Sequence, residues 1–228
     1  MRLVVSLGGS VLLGKFPDCS RIGDFAKTLS KLSDEHEIFV VTGGGKVARE
    51  YISAIRGFGA DNTFCDVAGI LVTKLNAMLL ISALLSEGCD VSKEVPETFE
   101  RALELSKLYR VVVMGGTFPG HTTDATSALL AEFVGAEVLL NATNVDGVYE
   151  EDPKVNPEAR KFEKITAREL VEIVARSEFR AGSSNVMDLL AAKVIERSGI
   201  KTIIFLGTPE NLERVVRGDV SVGTVVEP

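Results

Sequence analysis

Five short segments, most of them continuous runs of apolar residues, recur along the chain, and between them apolar residues follow a helical spacing. The runs are rich in Val, Ile and Leu and lie at residues 2–7, 37–42, 110–114, 137–141 and 201–206. Apolar runs without polar alternation are typical of strands buried on both faces, as in a parallel sheet covered by helices. The pattern therefore predicts five buried strands.

Between these runs, apolar residues repeat every three or four positions, which predicts amphipathic helices. One predicted helix covers residues 22–32, another follows Asp124, and a further one covers residues 185–199. Thr166 and Glu169 form a capping box at the start of one more helix. The alternation of strands and helices predicts an α/β fold, a three-layer αβα sandwich around an open, mostly parallel sheet.

The domain organisation is simple. The chain has no internal repeat, low-complexity segment or linker rich in Pro, Gly and Ser, so we predict a single domain over residues 1–228. The longest irregular stretch, residues 143–160, contains Pro153 and Pro157. Loops of this length are more often functional than idle.

The composition narrows the classes of partner. Of the 228 residues, 46% are hydrophobic and 25% are charged, and the formal net charge is −7. An acidic chain without clustered Lys and Arg is unsuited to a polyanion, so we expect no nucleic-acid partner. Small anions are still compatible with this charge, because backbone amides bind phosphate locally.

Cysteine usage and hydropathy predict the compartment. The three cysteines, Cys19, Cys65 and Cys89, are widely spaced, which predicts reduced thiols in a cytoplasmic protein and neither a disulfide framework nor a zinc site. The N-terminus shows no signal-peptide pattern. The longest apolar stretch, residues 67–85, is interrupted by four polar residues, Thr73, Lys74, Asn76 and Ser82. We therefore predict a buried helix and no membrane span.

A stretch directly after the first predicted strand comes within one residue of a phosphate-binding P-loop. Gly9, Gly14 and Lys15 fit the pattern G-x-x-x-x-G-K, but Phe16 stands where Ser or Thr would hold Mg²⁺. The apolar residues 11–13 would have to lie inside that loop. We interpret them as core packing after a short glycine turn, and the P-loop match as coincidental.

Three predicted strands end in glycine clusters, LGGS at residues 7–10, TGGGK at 42–46 and MGGT at 114–117. Ligands of open α/β sheets bind beyond the carboxyl ends of the strands, so parallel neighbours would bring the three clusters to one edge. Glycine lets backbone amides approach phosphate oxygens, and a following helix adds its N-terminal dipole. A tight turn alone explains one such cluster, whereas three indicate a track for the phosphates of a donor and an acceptor.

Together with DVAGILVTKLNAMLL, GGTFPGHTTDA and TNVDGVYEEDP, these clusters occur in an order that resembles the amino-acid kinase superfamily. The chain is most similar to the uridylate (UMP) kinase family in its short archaeal form. The resemblance implies an acetylglutamate kinase-like fold, with an acceptor-binding lobe over about residues 1–135 and an ATP-binding lobe over about residues 136–228. It also implies transfer of the γ-phosphoryl group of ATP to UMP, in pyrimidine nucleotide biosynthesis.

The same resemblance implies which residues bind each substrate. ATP, with Mg²⁺ as its cofactor, would be bound by Gly9, Ser10, Gly45, Arg49, Thr143, Asn144, Tyr149 and Asp152. UMP would be bound by Gly44, Asp66, Thr117, Phe118, Pro119, Gly120, His121, Thr122 and Thr123. No metal site built from protein ligands is implied.

Catalysis would depend on Arg49, with Lys15 and Asp188 as further candidates. Bacterial uridylate kinases carry a lysine in the first strand where this chain has Ser6, so the positive charge must come from elsewhere. Arg49 follows the second glycine cluster by one helical turn, where a guanidinium can bridge two phosphates. A surface arginine fits the sequence equally well, and Asp188 also fits a helix cap.

Two further residues have competing interpretations. Asp66 lies among apolar residues, where a carboxylate needs partners such as ribose hydroxyls, but it also fits the N-cap of the long apolar helix. His121 is interpreted as a loop side chain and not a metal ligand, because His36 is the only other histidine.

The implied transfer is direct and in line, with Mg²⁺ bridging the donor phosphates. The second pKa of a phosphate monoester is about 6, so the attacking oxygen is already anionic at neutral pH and needs no general base. A kinase for another small phosphate, such as isopentenyl phosphate, is the nearest rival. That group uses a histidine on the helix after the second cluster, and residues 46–55 contain none.

A non-catalytic protein of the same fold that stores molybdate or tungstate is an alternative from a different class. The resemblance further implies a homo-oligomer, commonly a hexamer, in which part of residues 67–85 is buried.

Overall fold

The computed structural model describes residues 1–15, 17–151, 153, 156, 158–178 and 186–228. Over these residues its strands are β1 (Arg2–Leu7), β2 (Glu37–Thr42), β3 (Val111–Met114), β4 (Val138–Thr143), β5 (Lys164–Thr166), β6 (Thr202–Leu206) and β7 (Gly223–Glu227). They form one sheet in the order β3-β2-β1-β4-β6-β7-β5. The strands from β3 to β6 in this order are parallel, whereas β7 runs antiparallel to β6 and parallel to β5.

The five predicted strands are confirmed, those at residues 2–7 and 37–42 with unchanged bounds. The sequence did not reveal β5 and β7. The first has three residues, and the second starts at Gly223 and is only five residues long. Both lie at one end of the sheet, away from the glycine clusters, so the predicted mostly parallel α/β sandwich is correct.

Helices cover both faces of the sheet. In the described part of the chain they are α1 (Gly9–Leu13), α2 (Cys19–Ser33), α3 (Gly45–Gly57), α4 (Asn62–Ser86), α5 (Phe99–Ser106), α6 (Thr123–Val134), α7 (Ala167–Glu178), α8 (Leu189–Ser198) and α9 (Pro209–Val216). One core cluster packs α1, α2, α4 and α9 against the sheet. The other packs α5, α6, α7 and α8 against the opposite face.

The predicted helices form, with one shift of boundary. The five apolar positions that predict α2 are all buried, and the capping box of α7 is present, with Thr166 N donating to Glu169 Oε2 at 2.7 Å. The last predicted helix begins at Leu189 and not near Asn185, because Asp188 caps it. Asn185 itself lies outside the described residues.

The long helix α4 is only half buried. Its inner side, with Ala77, Leu80 and Leu84, belongs to the core, but the outer side exposes a stripe of large apolar side chains, Phe64, Val67, Leu71, Leu75 and Met78. Within the described residues it is the one helix long and apolar enough to cross a membrane, and 44% of its most apolar stretch is buried against the rest of the protein. The expectation of a buried helix therefore holds for its inner side, whereas the outer side is exposed in the single chain.

Candidate active site

A cavity of about 500 Å³ opens where β1, β2 and β3 end. Most of the predicted substrate-binding residues line it: Gly9, Ser10, Gly44, Gly45, Arg49, Asp66, Gly120, His121, Thr122, Thr123 and Asn144. Outside the lining are Lys15, Thr117, Phe118, Pro119, Thr143, Tyr149 and Asp188. Asp152 lies outside the described residues.

The first two glycine turns touch each other backbone to backbone. A Cβ atom on Gly9 would lie 2.1 Å from Gly45 N, and one on Gly43 would lie 2.4 Å from Gly9 N. Gly45 also has a φ of +65°, which side chains disfavour. These glycines are therefore required for the close packing of two turns, in addition to any contact with phosphate.

The P-loop interpretation fails on the geometry after β1. Gly9 begins a helix at once, and its apolar residues Val11, Leu12 and Leu13 are buried in the core. A loop wrapped around a phosphate leaves no place for three buried side chains. Lys15 follows this helix, is exposed and does not line the cavity.

Arg49 connects the first two turns. It lies on the first turns of α3, lines the cavity, and its Nη2 donates to Ser10 Oγ at 3.3 Å. The first amides of a helix have no partner within the helix and carry its positive dipole end. The start of α3 and the Arg49 guanidinium thus place positive charge at one edge of the cavity.

Asp66 lies in the second turn of α4, so it is not the N-cap. Asp61 caps that helix, with Oδ1 accepting from Phe64 N at 2.8 Å. Asp66 Oδ2 instead accepts from Gly120 N at 2.9 Å and ties α4 to the loop before α6. The competing interpretation of Asp66 as a cap is therefore wrong, and its carboxylate faces the cavity.

The loop that follows β3 closes another side of the cavity. Phe118 is 65% exposed, and its ring packs against His121 with centroids 6.0 Å apart. The Nδ1 atom of His121 is buried without a hydrogen-bond partner among the described residues. Thr122 caps α6, because its Oγ1 accepts from Ala125 N at 3.0 Å.

Two carboxylates, Asp188 and Asp124, interact electrostatically next to Thr122. Asp188 caps α8 through Ala191 N, 3.0 Å away, and also accepts a hydrogen bond from Thr122 Oγ1. The capping interpretation of Asp188 is therefore confirmed, and the residue does not line the cavity. Asp124 accepts from Ser6 Oγ at 2.9 Å.

Sequence reasoning missed Asp124. Burial raises its pKa to about 6; the Ser6 hydrogen bond acts in the opposite direction, and the charge of Asp188 adds to the increase. The available signal was its place in GGTFPGHTTDA, directly after two residues assigned to the site.

Three further residues predicted to bind ATP, Thr143, Asn144 and Tyr149, lie at the end of β4 or shortly after it. Asn144 lines the cavity, whereas Tyr149 donates its hydroxyl to Asp146 Oδ1 at 2.8 Å. Lys161 Nζ contacts the other oxygen of Asp146 at 3.3 Å. Burial acts to raise the pKa of Asp146, but the hydrogen bonds from Tyr149 and Lys161 outweigh it, and the pKa is lowered. The hydroxyl of Tyr149 is thus held by Asp146.

The described residues contain no group of three or more His, Cys, Asp or Glu side chains arranged to hold a metal ion. Mg²⁺ that enters with a nucleotide needs few protein ligands, because it keeps several waters and binds substrate phosphates. Ser10 and Asn144 line the cavity and offer side-chain oxygens of the type that Mg²⁺ prefers. The donor set therefore fits a nucleotide-bound Mg²⁺.

Comparison with known proteins identifies relatives over the whole length. The model of the amino acid kinase family matches residues 1–206 of the chain. The chain is 58% identical over 226 residues to a uridylate kinase of Archaeoglobus fulgidus, covering 99% of this chain and 100% of that protein. It is 49% identical over 229 residues to a uridylate kinase of Methanocaldococcus jannaschii, covering 100% of both.

A solved structure agrees with these relatives. The crystal structure of uridylate kinase from Archaeoglobus fulgidus matches with a TM-score of 0.90 at 57% identity, and the match covers 99% of this chain and 100% of that one.

Proposed function

The chain belongs to the amino acid kinase family and, within it, to the uridylate kinases, and we propose on that premise that it transfers the γ-phosphoryl group of ATP to UMP. The products are ADP and UDP. The observation that carries the proposal is the cavity in which glycine turns, the start of α3 and Arg49 meet beside Asp66.

The acceptor lies in the N-terminal lobe, over about residues 1–135. Asp66 accepts from the ribose hydroxyls, and Gly44 and residues 117–123 surround the uracil and the phosphate. Charged hydrogen bonds from a buried sugar give a carboxylate in apolar surroundings the partners that it needs.

ATP lies against the C-terminal lobe, over about residues 136–228, with Asn144 and the ring of Tyr149 beside it. Gly9, Ser10 and Gly45 face its phosphates, and Ser10 and Asn144 are the side chains that would hold Mg²⁺. When bound with ATP, Mg²⁺ neutralises charge on the donor phosphates.

In the transfer, Arg49 follows the charge between donor and acceptor phosphates, and the first amides of α3 add their dipole. The first strand carries Ser6 in place of a lysine, and Lys15 lies outside the cavity lining. Among the residues that line the described cavity, Arg49 therefore supplies the permanent positive charge. The UMP phosphate is already anionic near pH 7 and attacks without a general base.

The acceptor assay tests this proposal. ADP release is measured with UMP, CMP, dUMP, AMP and isopentenyl phosphate as acceptors, and UMP should exceed the others by at least about tenfold in kcat/KM. Equal rates with CMP would contradict the uracil assignment. No turnover with any acceptor, together with bound molybdate or tungstate in the purified protein, would favour the storage alternative.

The proposal also includes the cellular compartment and the oligomeric state of the enzyme. The enzyme acts in the cytoplasm, in pyrimidine nucleotide biosynthesis, as a homo-oligomer and specifically a homohexamer. The apolar stripe on the outer side of α4 supports self-association, because contiguous exposed apolar side chains mark interaction surfaces.

A further inference from the structure

Two polar side chains are buried on the inner side of α4. Thr73 and Asn76 are each 5% exposed, in a helix whose other buried side chains are mostly apolar. Burying a hydroxyl or an amide costs free energy unless its hydrogen bonds are satisfied. The hydrogen-bond partners of these two residues therefore show which parts of the protein α4 positions.

Thr73 bonds to the ends of two strands. Its Oγ1 accepts from Gly116 N at 2.7 Å, in the turn after β3, and donates to Ile70 O at 2.6 Å. Its carbonyl oxygen accepts from Thr42 Oγ1 at 2.9 Å, at the last residue of β2. Both functions of the hydroxyl are thus used by the protein, although Thr73 lines the cavity.

Asn76 holds the neighbouring turn one helical turn further along. Its Nδ2 donates to Gly43 O at 2.8 Å and reaches Gly44 O at 3.5 Å. Together the two side chains connect the turn after β2 with the turn after β3 through one rigid helix.

The contact is as close as backbones allow. A Cβ atom on Gly115 would lie 2.5 Å from Thr73 Oγ1 and 2.7 Å from Lys74 N. The turn after β3 therefore lies directly on α4, and its glycines serve this approach. Gly116 N is committed to Thr73, so that amide does not belong to the phosphate track expected from three glycine clusters.

We propose that Thr73 and Asn76 are positioning residues of the acceptor half of the site. They fix the separation of the two turns whose glycines line the cavity, on the same helix that carries Asp66. This inference rests on the proposed uridylate kinase activity. We expect the acceptor to be affected most, because Asn76 bonds to Gly44 and Thr73 to the turn that leads into residues 117–123, all assigned to UMP. The turn after β2 also carries Gly45, which is assigned to ATP, so a smaller effect on ATP is expected.

Three variants and one matched control test the proposal. Thr73→Val keeps the shape and removes both hydrogen bonds, Thr73→Ser keeps the hydroxyl, and Asn76→Asp places a carboxylate against two carbonyl oxygens. Thr202→Val is the control. Thr202 is fully buried, its Oγ1 donates to Ile200 O at 3.2 Å, and it is the first residue of β6, at the ends of the strands away from the glycine turns.

Steady-state kinetics and calorimetric titration with UMP alone give the readouts. Thr73→Val and Asn76→Asp should raise KM for UMP and weaken UMP binding by at least about tenfold, because misplacing a site by a fraction of an ångström is costly. KM for ATP should change clearly less than KM for UMP, and Thr73→Ser and the control should resemble the wild type in both constants.

The outcomes separate the two proposals. Wild-type protein that does not phosphorylate UMP contradicts the proposed function. If the wild type is active but the variants raise KM for UMP and KM for ATP equally, Thr73 and Asn76 only stabilise the fold. The same conclusion follows if the Thr202→Val control reproduces the effect of the variants. If circular dichroism shows Thr73→Val unfolded, Asn76→Asp against Thr202→Val makes the same comparison.

Discussion

Among single residues, Arg49 has the most demanding electrostatic role in the proposed reaction. Arg49→Ala should lower kcat by about 10²-fold and change KM for UMP less, because charge shared between two phosphates interacts most strongly in the transition state. Arg56→Ala on the same helix is the control, since Arg56 donates to Asn62 Oδ1 at 3.3 Å and does not line the cavity. Steady-state kinetics that show an unchanged kcat in Arg49→Ala would make Arg49 a surface residue.

Asp66 combines a structural bond with the proposed ribose contact, so two variants are needed. Asp66→Asn retains an oxygen for Gly120 N, whereas Asp66→Ala removes it. The wild type should prefer UMP to dUMP, and both variants should lose most of that preference, because charged hydrogen bonds contribute about 1.5 to 3 kcal/mol each. The ratio of kcat/KM for UMP and dUMP measures this preference. If this ratio is unchanged in Asp66→Asn, Asp66 does not contact the ribose.

Asp124 makes stability depend on pH. Its pKa is raised from 3.8 to about 6, so between these values the folded protein holds a proton that the unfolded chain releases. Its contribution to stability is present below the lower value and is lost as pH rises through about 6. The charged carboxylate, which is only partly shielded from solvent, then costs at most about 2 to 3 kcal/mol.

Asp124→Asn removes this charge and keeps an oxygen for Ser6. We expect its free energy of unfolding, from urea denaturation, to exceed that of the wild type at pH 8, with a smaller difference at pH 5. The exposed Asp24→Asn is the control and should show no such pH dependence. A variant no more stable than the wild type at pH 8 would mean that the Asp124 charge is compensated.

At the scale of elements, the sequence predicts what depends on local pattern. The bounds of β1 and β2 agree with the sequence prediction because their interior residues are apolar with the single exception of Ser6. Contacts between elements were not predictable in this way. Thr73 and Asn76 were recognised only as interruptions of an apolar helix, because their partners lie more than 30 residues away in the chain.

The glycine turns show the same limit and give a prediction. Gly43→Ala would place a Cβ atom 2.4 Å from Gly9 N, whereas one on Gly23 in α2 would meet nothing within 4 Å. Gly43→Ala should therefore lower the free energy of unfolding by about 1 to 3 kcal/mol, as in overpacked cores. Gly23→Ala should raise it by about 0.5 to 1 kcal/mol, because alanine favours helix. Denaturation curves with the same sign for both would contradict the packing argument.

At the scale of the whole molecule, α4 faces two ways. Its inner side holds the turns of the acceptor site through Thr73 and Asn76, and its outer side presents the apolar stripe. A second copy of the chain is the partner that we propose for this stripe. An assembly that covers the outer side would also stiffen the helix on which the acceptor site is built.

Leu75→Glu tests that assembly directly. Leu75 is 65% exposed, the largest exposed fraction in the stripe, and a glutamate there would be buried without a partner in the oligomer. The variant should have a lower native mass than the wild type by light scattering after size exclusion, approaching 24.5 kDa for one chain. Leu108→Glu is the matched control, since Leu108 is 73% exposed but lies outside the stripe, and it should keep the wild-type mass. A wild-type mass equal to that of one chain would contradict the oligomer itself, whereas an oligomer unaffected by Leu75→Glu would assign its interface to another surface.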